Sequence, residues 1–348
     1  MKQVFILGRN PELSRQEIFA YLRARGVKYD EVFFERNILL LESDASVDIQ
    51  ELGGTMKAGK NIGVFSKGEF YNYMKKNELV PSDKFSFVVY GNGDAEILKA
   101  KFKAEKKKAV QKQGRRKIRF QDGDEEFLGT ADFNLFFHEI GKNIYFGLVE
   151  DEYDYSSVEK RDMGKPVRRE ELAISPRLSK ILINLSEAKE GDFLLDPFCG
   201  IGGILIEALV KNINVFGIDK DRNAVNDAEK NLKWLLENYG IKTRYTLKNS
   251  DALNVPDLKF DAIATETPLG ELLKKKPSEN ECRRIIENFE RLIVPILRRF
   301  KVVKKPMAKI AITFPVVGRM RVNIDEVLKK AGLELILDIA EIRPGQFV

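Results

Sequence analysis

Residues Leu194 to Ala208 read LLDPFCGIGGILIEA. The apolar Phe193, Leu194 and Leu195 suit the end of a buried strand, which stops at Asp196. Gly200, Gly202 and Gly203 then turn the chain, and Ile204, Leu205, Ala208 and Leu209 carry a helical pattern. Strand, glycine turn and helix build the crevice at the carboxyl ends of the strands of an open α/β sheet. Glycine there lets the backbone come close to a ligand and adopt positive φ. The dinucleotide pattern G-x-G-x-x-G fails, since position 205 is leucine, and no G-x-x-x-x-G-K-[ST] run occurs. Asp196 would repel a pyrophosphate but suits a cationic ligand, such as the ammonium and sulfonium of S-adenosylmethionine.

The next segment agrees. Val215, Phe216, Gly217 and Ile218 read as a second strand ending at Asp219-Lys220. An acid about 20 residues after the glycine turn reaches the ribose hydroxyls of an adenosine. A helix is predicted from about Asn223, with Ala224, Ala228, Leu232 and Leu235 at steps of three and four and Gly240 as its stop. Tyr245–Leu247 leads into Asn249-Ser250-Asp251-Ala252, which places Asp251 and Ala252 at the adenine. The alternative is that Asp219 and Asp251 only cap turns.

With these motifs the chain resembles the THUMP-domain RNA methyltransferases of the archaeal and eukaryotic tRNA guanine-N2 group. Arg161-Asp162, Lys165-Pro166, Ser175-Pro176-Arg177-Leu178, the opening Phe5-Ile6-Leu7-Gly8 with Asn10-Pro11, and Arg343-Pro344-Gly345-Gln346 carry the likeness further. It is strong over about 155–270 and loose over 45–150. The family's catalytic motif, Asp/Asn-Pro-Pro-Tyr/Phe-Gly after the fourth strand, corresponds here to Glu266-Thr267-Pro268-Leu269-Gly270. The resemblance implies that Glu266 and a loop carbonyl hold the target amine, with Pro268 shaping the turn and Leu269 against the base. Leu269 lacks an aromatic face, so Phe198 is the candidate to stack on an extruded nucleobase, an interaction worth roughly 1–3 kcal/mol. A catalytically degenerate RNA-binding relative and a DNA amino-methyltransferase are the alternatives. Pyrimidine C5 chemistry needs a thiolate beside the base; the fourth-strand loop has none, and Cys199 reads as a packing residue.

Composition bounds the partners. The net charge is +6, with 43% hydrophobic residues, 2 cysteines and 1 histidine. Two cysteines offer no disulfide framework, so a reducing cytoplasm is expected. Met1-Lys2-Gln3-Val4 reads as a strand start, not a signal peptide, and no apolar run reaches the roughly 20 residues of a membrane span. A lone histidine, His138, makes a zinc site unexpected; it is placed on a surface or half-buried strand. From Lys99 to Arg119 the chain is basic, opposed only by Glu105. A basic amphipathic helix over about 95–112 is predicted, with Lys99, Lys103, Lys106, Lys107, Arg115 and Arg116 as RNA-binding candidates. The family likeness implies tRNA as partner, held partly at its 3′ end and acceptor region, and a possible small activating subunit.

The expected architecture is an α/β Rossmann-like S-adenosylmethionine-dependent methyltransferase domain preceded by an α+β ferredoxin-like/THUMP RNA-binding region. The expected parts are a ferredoxin-like module (1–80), a THUMP-like module (81–150), a linker (151–171) and the methyltransferase domain (172–348). Residues 1–44 read strand, helix, strand, strand, with Ser14 and Glu17 as a capping box. Ser175 with Pro176 opens a helix. Strand 308–314, helix 324–331 and strand 333–342 close the chain, and 271–280, rich in lysine, is a candidate substrate loop.

Overall fold

The computed structural model describes residues 1–112, 116–119, 125–128, 131–169, 174–268, 277–336, 341–343 and 346–347; for 116–119, 125–128, 341–343 and 346–347 it describes backbone alone. The chain divides into two units: Met1–Arg15, Val27–Gln50 and Gly54–Tyr153 form one, and Gln16–Gly26, Glu51–Gly53 and Asp154–Val348 the other.

The first unit contains two five-stranded sheets. In the antiparallel one, Lys2–Leu7 lies between Thr55–Lys60 and Ile38–Ser43, flanked by Asp151–Glu152 and Tyr29–Glu35. Its centre is apolar on both faces, with Val4, Phe5, Leu39 and Leu40 all fully buried. The second is mixed, in the order Gly63–Ser66, Asn143–Leu148, Phe133–Ile140, Lys84–Tyr90, Lys108–Gln111. Phe70, Phe87, Phe102 and Phe137 fill its core. The boundary expected at 80 does not mark a change of sheet, because strand Gly63–Ser66 and helix Lys67–Lys76 already belong to the second. Nor is 151–171 a plain linker: Asp151–Glu152 pairs with Lys57 and Ala58, and Tyr155–Gly164 is a helix capped by Asp154.

The basic helix is shorter than predicted. It runs Ala95–Ala104 and ends where Lys106 takes a φ of 56°, costly for a residue with a Cβ. Lys108–Gln111 then pairs in parallel with Lys84–Phe87, so the helix is the crossover that parallel strands require. Ala109 packs on the aromatic core, an anchor that helical periodicity does not reveal. His138 is buried, against expectation. Its ring lies parallel to Phe33 and Phe136, its Nδ1 accepts from the Asn92 amide at 3.3 Å, and its Nε2 is 3.2 Å from Glu35. Burial holds its imidazole below the ordinary value.

Ser14 and Glu17 do not form a capping box. The helix starts at Pro11, so both lie inside it. Ser14 Oγ donates to the carbonyls of Asn10 and Gly54, and Glu17 accepts from the Gly53 amide at 2.6 Å and from Asn184 at 2.7 Å.

The second unit is built on a parallel sheet in the order Tyr245–Asn249, Asn214–Asp219, Phe193–Asp196, Ala262–Thr265, Ile310–Ile312. Strand order reverses between Phe193–Asp196 and Ala262–Thr265, the position where such sheets open a crevice. Helices Pro176–Leu185, Gly203–Val210, Arg222–Tyr239 and Glu279–Val303 contribute buried faces, and the last packs Phe289, Ile293, Ile296 and Phe300 into the core. Ser175 caps the first of these with Pro176 at its start, and Gly240 ends the third at a φ of 63°, as the sequence suggested. Glu207 and Arg161 form a buried ion pair at 3.1 Å, exposed 1% and 8%.

Two late strands differ from expectation. Strand 308–314 divides at Thr313 into Ile310–Ile312, in the parallel sheet, and Phe314–Val317, which pairs antiparallel with Gln346–Phe347. Residues 333–336 are irregular, 337–340 lie outside the described residues, and Glu341–Arg343 is a short strand. Helix Ile324–Ala331 falls where it was predicted.

Candidate active site

Asp196 and Thr265 end the two strands that flank the reversal. Thr265 Oγ1 donates to Asp196 Oδ1 at 2.6 Å, and the Phe198 amide donates to the same oxygen at 3.2 Å. Asp196 is 1% exposed. Burial pushes its carboxyl up to about 7, with Asp219 and Glu266 adding to the rise, while the bonds from Thr265 and Phe198 oppose it. A carboxyl held this way gains most from a nearby cation.

The glycine turn follows from local backbone chemistry. Gly200 and Gly202 sit at φ 50° and 90°, and the helix Gly203–Val210 starts without a side-chain cap. Asp219 holds the turn: its Oδ2 accepts from the Gly200 amide at 2.9 Å and its Oδ1 from the Asp221 amide at 2.9 Å. Asn249 Nδ2 donates to the carbonyls of Asp219 and Lys220, tying the second and third strand tips together. Gly217 is needed for closeness, since a Cβ there would lie 2.6 Å from Leu205 Cδ1 and 2.8 Å from Leu247 Cδ2. Lys220 is exposed beside this network, and Phe198 lies half-buried in the turn.

Asp251 caps a short helical turn, with Oδ1 accepting from the Leu253 amide at 2.8 Å, and Ala252 behind it is buried. The capping role is therefore real for Asp251, and Asp219 spends both oxygens on the backbone. The three acids do stand at the tips of three adjacent strands.

On the other side of the reversal comes the loop that follows Thr265, the candidate acceptor loop. Thr265 and Thr267 are buried, Glu266 is half-buried and Pro268 is exposed. The Thr267 amide donates to Thr313 Oγ1 at 3.1 Å, and Thr267 Oγ1 donates to the Thr313 carbonyl at 2.7 Å. Leu269, Gly270 and the lysine-rich 271–276 lie outside the described residues. Cys199 is buried, and burial together with Asp196 and Asp219 holds its thiol well above the ordinary value. That removes the thiolate a nucleophile needs.

Sequence reasoning gave Thr265 and Thr267 no role beyond their place in or beside the motif, and missed Thr313 and Asn231. Asn231 is fully buried; its Nδ2 donates to the carbonyls of Ile201 and Val167, and its Oδ1 accepts from the Val167 amide. A polar residue on the apolar stripe Ala224, Ala228, Leu232, Leu235 was the available signal.

The RNA-binding candidates belong to the other unit and fare unequally. Lys103 and Lys106 are exposed, and Lys99 is paired with Glu96 at 2.7 Å. Lys107 is a correction: its side chain is 5% exposed and bonds Glu78 and the Val80 carbonyl, so it fastens the fold. Arg115 lies outside the described residues, and Arg116 opens a strand, Arg116–Arg119, paired with Glu125–Leu128.

Among the described residues, no group of three or more His, Cys, Asp or Glu side chains could hold a metal ion, and no helix is long and apolar enough to cross a membrane. A cleft of 820 Å³, lined by Lys259, Leu297, Lys301, Met307, Ile310 and Leu328, contains none of the site residues. The candidate site lies at the strand tips, not in this cavity.

Comparison with known proteins adds the family. The family described as UPF0020, RMKL-like methyltransferase domain, matches residues 165–299, and N6_N4_Mtase, DNA methylase, matches 45–230. The chain is 44% identical over 99 residues to the tRNA (guanine(10)-N2)-dimethyltransferase of Methanothermobacter thermautotrophicus, covering 28% of either protein. It is 36% identical over 123 residues to that of Pyrococcus abyssi, covering 34% of either. The matches thus span about a third of these relatives' length. TrmN from Thermus thermophilus superimposes with a TM-score of 0.49 at 16% identity, covering 96% of this chain and 92% of that one. With a strand-tip acid and glycine turn in place and one of the two families matching more than half of its length, the chain belongs to the S-adenosylmethionine-dependent methyltransferases.

Proposed function

We propose that this protein transfers the methyl group of S-adenosylmethionine to the exocyclic N2 amine of a guanosine in tRNA. The observation that carries the reading is the meeting of Asp196 and the Glu266 loop across the strand reversal. Donor cation and acceptor amine would then approach one crevice from neighbouring strand tips. Relatives matching this segment bear the name tRNA (guanine(10)-N2)-dimethyltransferase, which supports the choice of acceptor.

The residues fit the cofactor. Buried Asp196 would offer a carboxylate to its positive end; Gly200, Gly202 and Phe198 would line the approach; Asp219 and Lys220 would hold the ribose, and Asp251 and Ala252 the adenine. When bound, the cofactor supplies an electrophilic methyl on sulfonium. Glu266 accepts an N–H of the target amine and aims the nitrogen lone pair, while Pro268 and Leu269 bound the base, which must leave its stack to be reached. Holding amine and methyl in line supplies most of the acceleration. The first unit, read as ferredoxin-like and THUMP-like modules, grips the tRNA near its 3′ end and acceptor region through Lys99, Lys103, Lys106, Arg115 and Arg116. A small activating subunit and a cytoplasmic setting complete this reading.

Glu266→Ala should cut methyl incorporation into tRNA transcripts by about 100-fold or more, the size of losing one pre-positioned polar group, with tRNA affinity retained. Turnover at the wild-type rate removes Glu266 from the mechanism. A second reading, DNA amine methylation, is favoured by the DNA-methylase match over 45–230. Competition between tRNA and duplex DNA for labelled methyl separates the two. Binding of tRNA without incorporation would instead mark a degenerate relative.

A further inference from the structure

Three buried threonines surround the acceptor loop, and family resemblance assigns none of them a role. Thr265 and Thr313 are fully buried and Thr267 is 2% exposed. Resting on the methyltransferase reading above, we propose that Thr265, Thr267 and Thr313 are positioning residues: Thr265 ties the acceptor loop to the donor carboxylate of Asp196, and Thr267 and Thr313 clamp the loop from its other side.

The geometry on both sides of Glu266 supports this. Thr265, immediately before it, donates to Asp196 Oδ1 at 2.6 Å, so the acceptor loop is referenced to the residue that faces the cofactor's cation. Thr267, immediately after it, makes a reciprocal pair with Thr313, amide to hydroxyl at 3.1 Å and hydroxyl to carbonyl at 2.7 Å. Thr313 lies between the strands Ile310–Ile312 and Phe314–Val317, and its carbonyl accepts that bond. The resembling family has proline at the Thr267 position, whose ring fixes φ without any partner. In this chain hydrogen bonds replace the ring.

Two readouts test the proposal. The first is the pH dependence of S-adenosylmethionine affinity, measured by calorimetry on the full chain without any RNA. The groups facing Asp196 are Thr265, the Phe198 amide, Asp219 and Glu266, with the Cys199 thiol nearby. Thr265→Val removes a donor that favours the ionised carboxyl, so the acidic limb of binding should move to higher pH and affinity at neutral pH should fall severalfold. Thr265→Ser, which keeps the hydroxyl, should restore the wild-type profile. The second is the kcat-against-KM split in methyl transfer. Thr267→Ala and Thr313→Val should each lower kcat about tenfold with the KM for S-adenosylmethionine unchanged, and Thr267→Pro should recover most of the loss. A Thr265→Val profile that coincides with wild type overturns the tie to Asp196. Thr267→Pro no better than Thr267→Ala overturns the clamp. A wild-type protein that binds S-adenosylmethionine but methylates no tRNA removes the tRNA reading and still leaves the first readout to decide this one.

Discussion

In the proposed function Asp196 combines burial with a task that needs its charge. Its carboxyl lies at about 7 where 3.8 is ordinary. Between those values the folded chain holds a proton that the unfolded chain has released, so this group's contribution to stability is full below about pH 4 and declines as pH rises to 7. Cofactor affinity runs the other way, because only the ionised form attracts a cation. S-adenosylmethionine should therefore bind more tightly as pH rises from about 6 to about 8. Asp196→Asn should flatten that rise in calorimetry while raising the thermal midpoint of the cofactor-free protein near pH 8 by several degrees. An unchanged pH profile in Asp196→Asn would assign the proton to another group. The place of the acid at the strand tip was legible, since an apolar run on one side and a glycine turn on the other mark it. Thr265, its hydrogen-bond donor, was not, because nothing local to Thr265 announces a partner 69 residues away.

Elements whose shape is set by their own backbone were read well. The turn Gly200–Gly203 and the stop at Gly240 are left-handed or tight positions that glycine marks in any fold. Gly202 has φ 90° and no atom nearer than 3.5 Å to an added Cβ, so Gly202→Ala is penalised by backbone strain and not by a clash. That strain is about 1–2 kcal/mol, which calorimetry should register as about a tenfold loss of S-adenosylmethionine affinity. Gly240→Ala is equally strained but remote from the turn, and should lower the thermal midpoint with affinity intact. Equal loss of affinity in both variants would mean that the turn has no special part. The helix predicted over 95–112 failed for the complementary reason. Charge at about every second position fits a solvated helix or an edge strand, and only the pairing of Lys108–Gln111 with Lys84–Phe87 distinguishes them.

For the molecule as a whole, excess positive charge argues for a polyanionic partner but does not say which lysines serve it. Lys101 bonds the Asn77 carbonyl and Glu105, and Lys107 bonds Glu78 and the Val80 carbonyl, while Lys103 and Lys106 face solvent. Replacing Lys103 and Lys106 with alanine should weaken tRNA binding and reduce the slope of log affinity against log salt by about one for each phosphate no longer neutralised. Lys107→Ala should leave that slope unchanged and lower the thermal midpoint. A slope altered by Lys107→Ala alone would return that residue to the interface. The glycine turn, the acids that close two successive strands and the order of strand and helix from 174 to 312 follow from the chain alone, because dihedral freedom, apolar periodicity and capping act over a few residues. The burial of His138 between Phe33 and Phe136, the double duty of Asp219 and the Thr267–Thr313 clamp came from packing. Each depends on groups that meet after distant strands have paired, and no local pattern encodes which hydroxyl, ring or carboxylate will stand opposite.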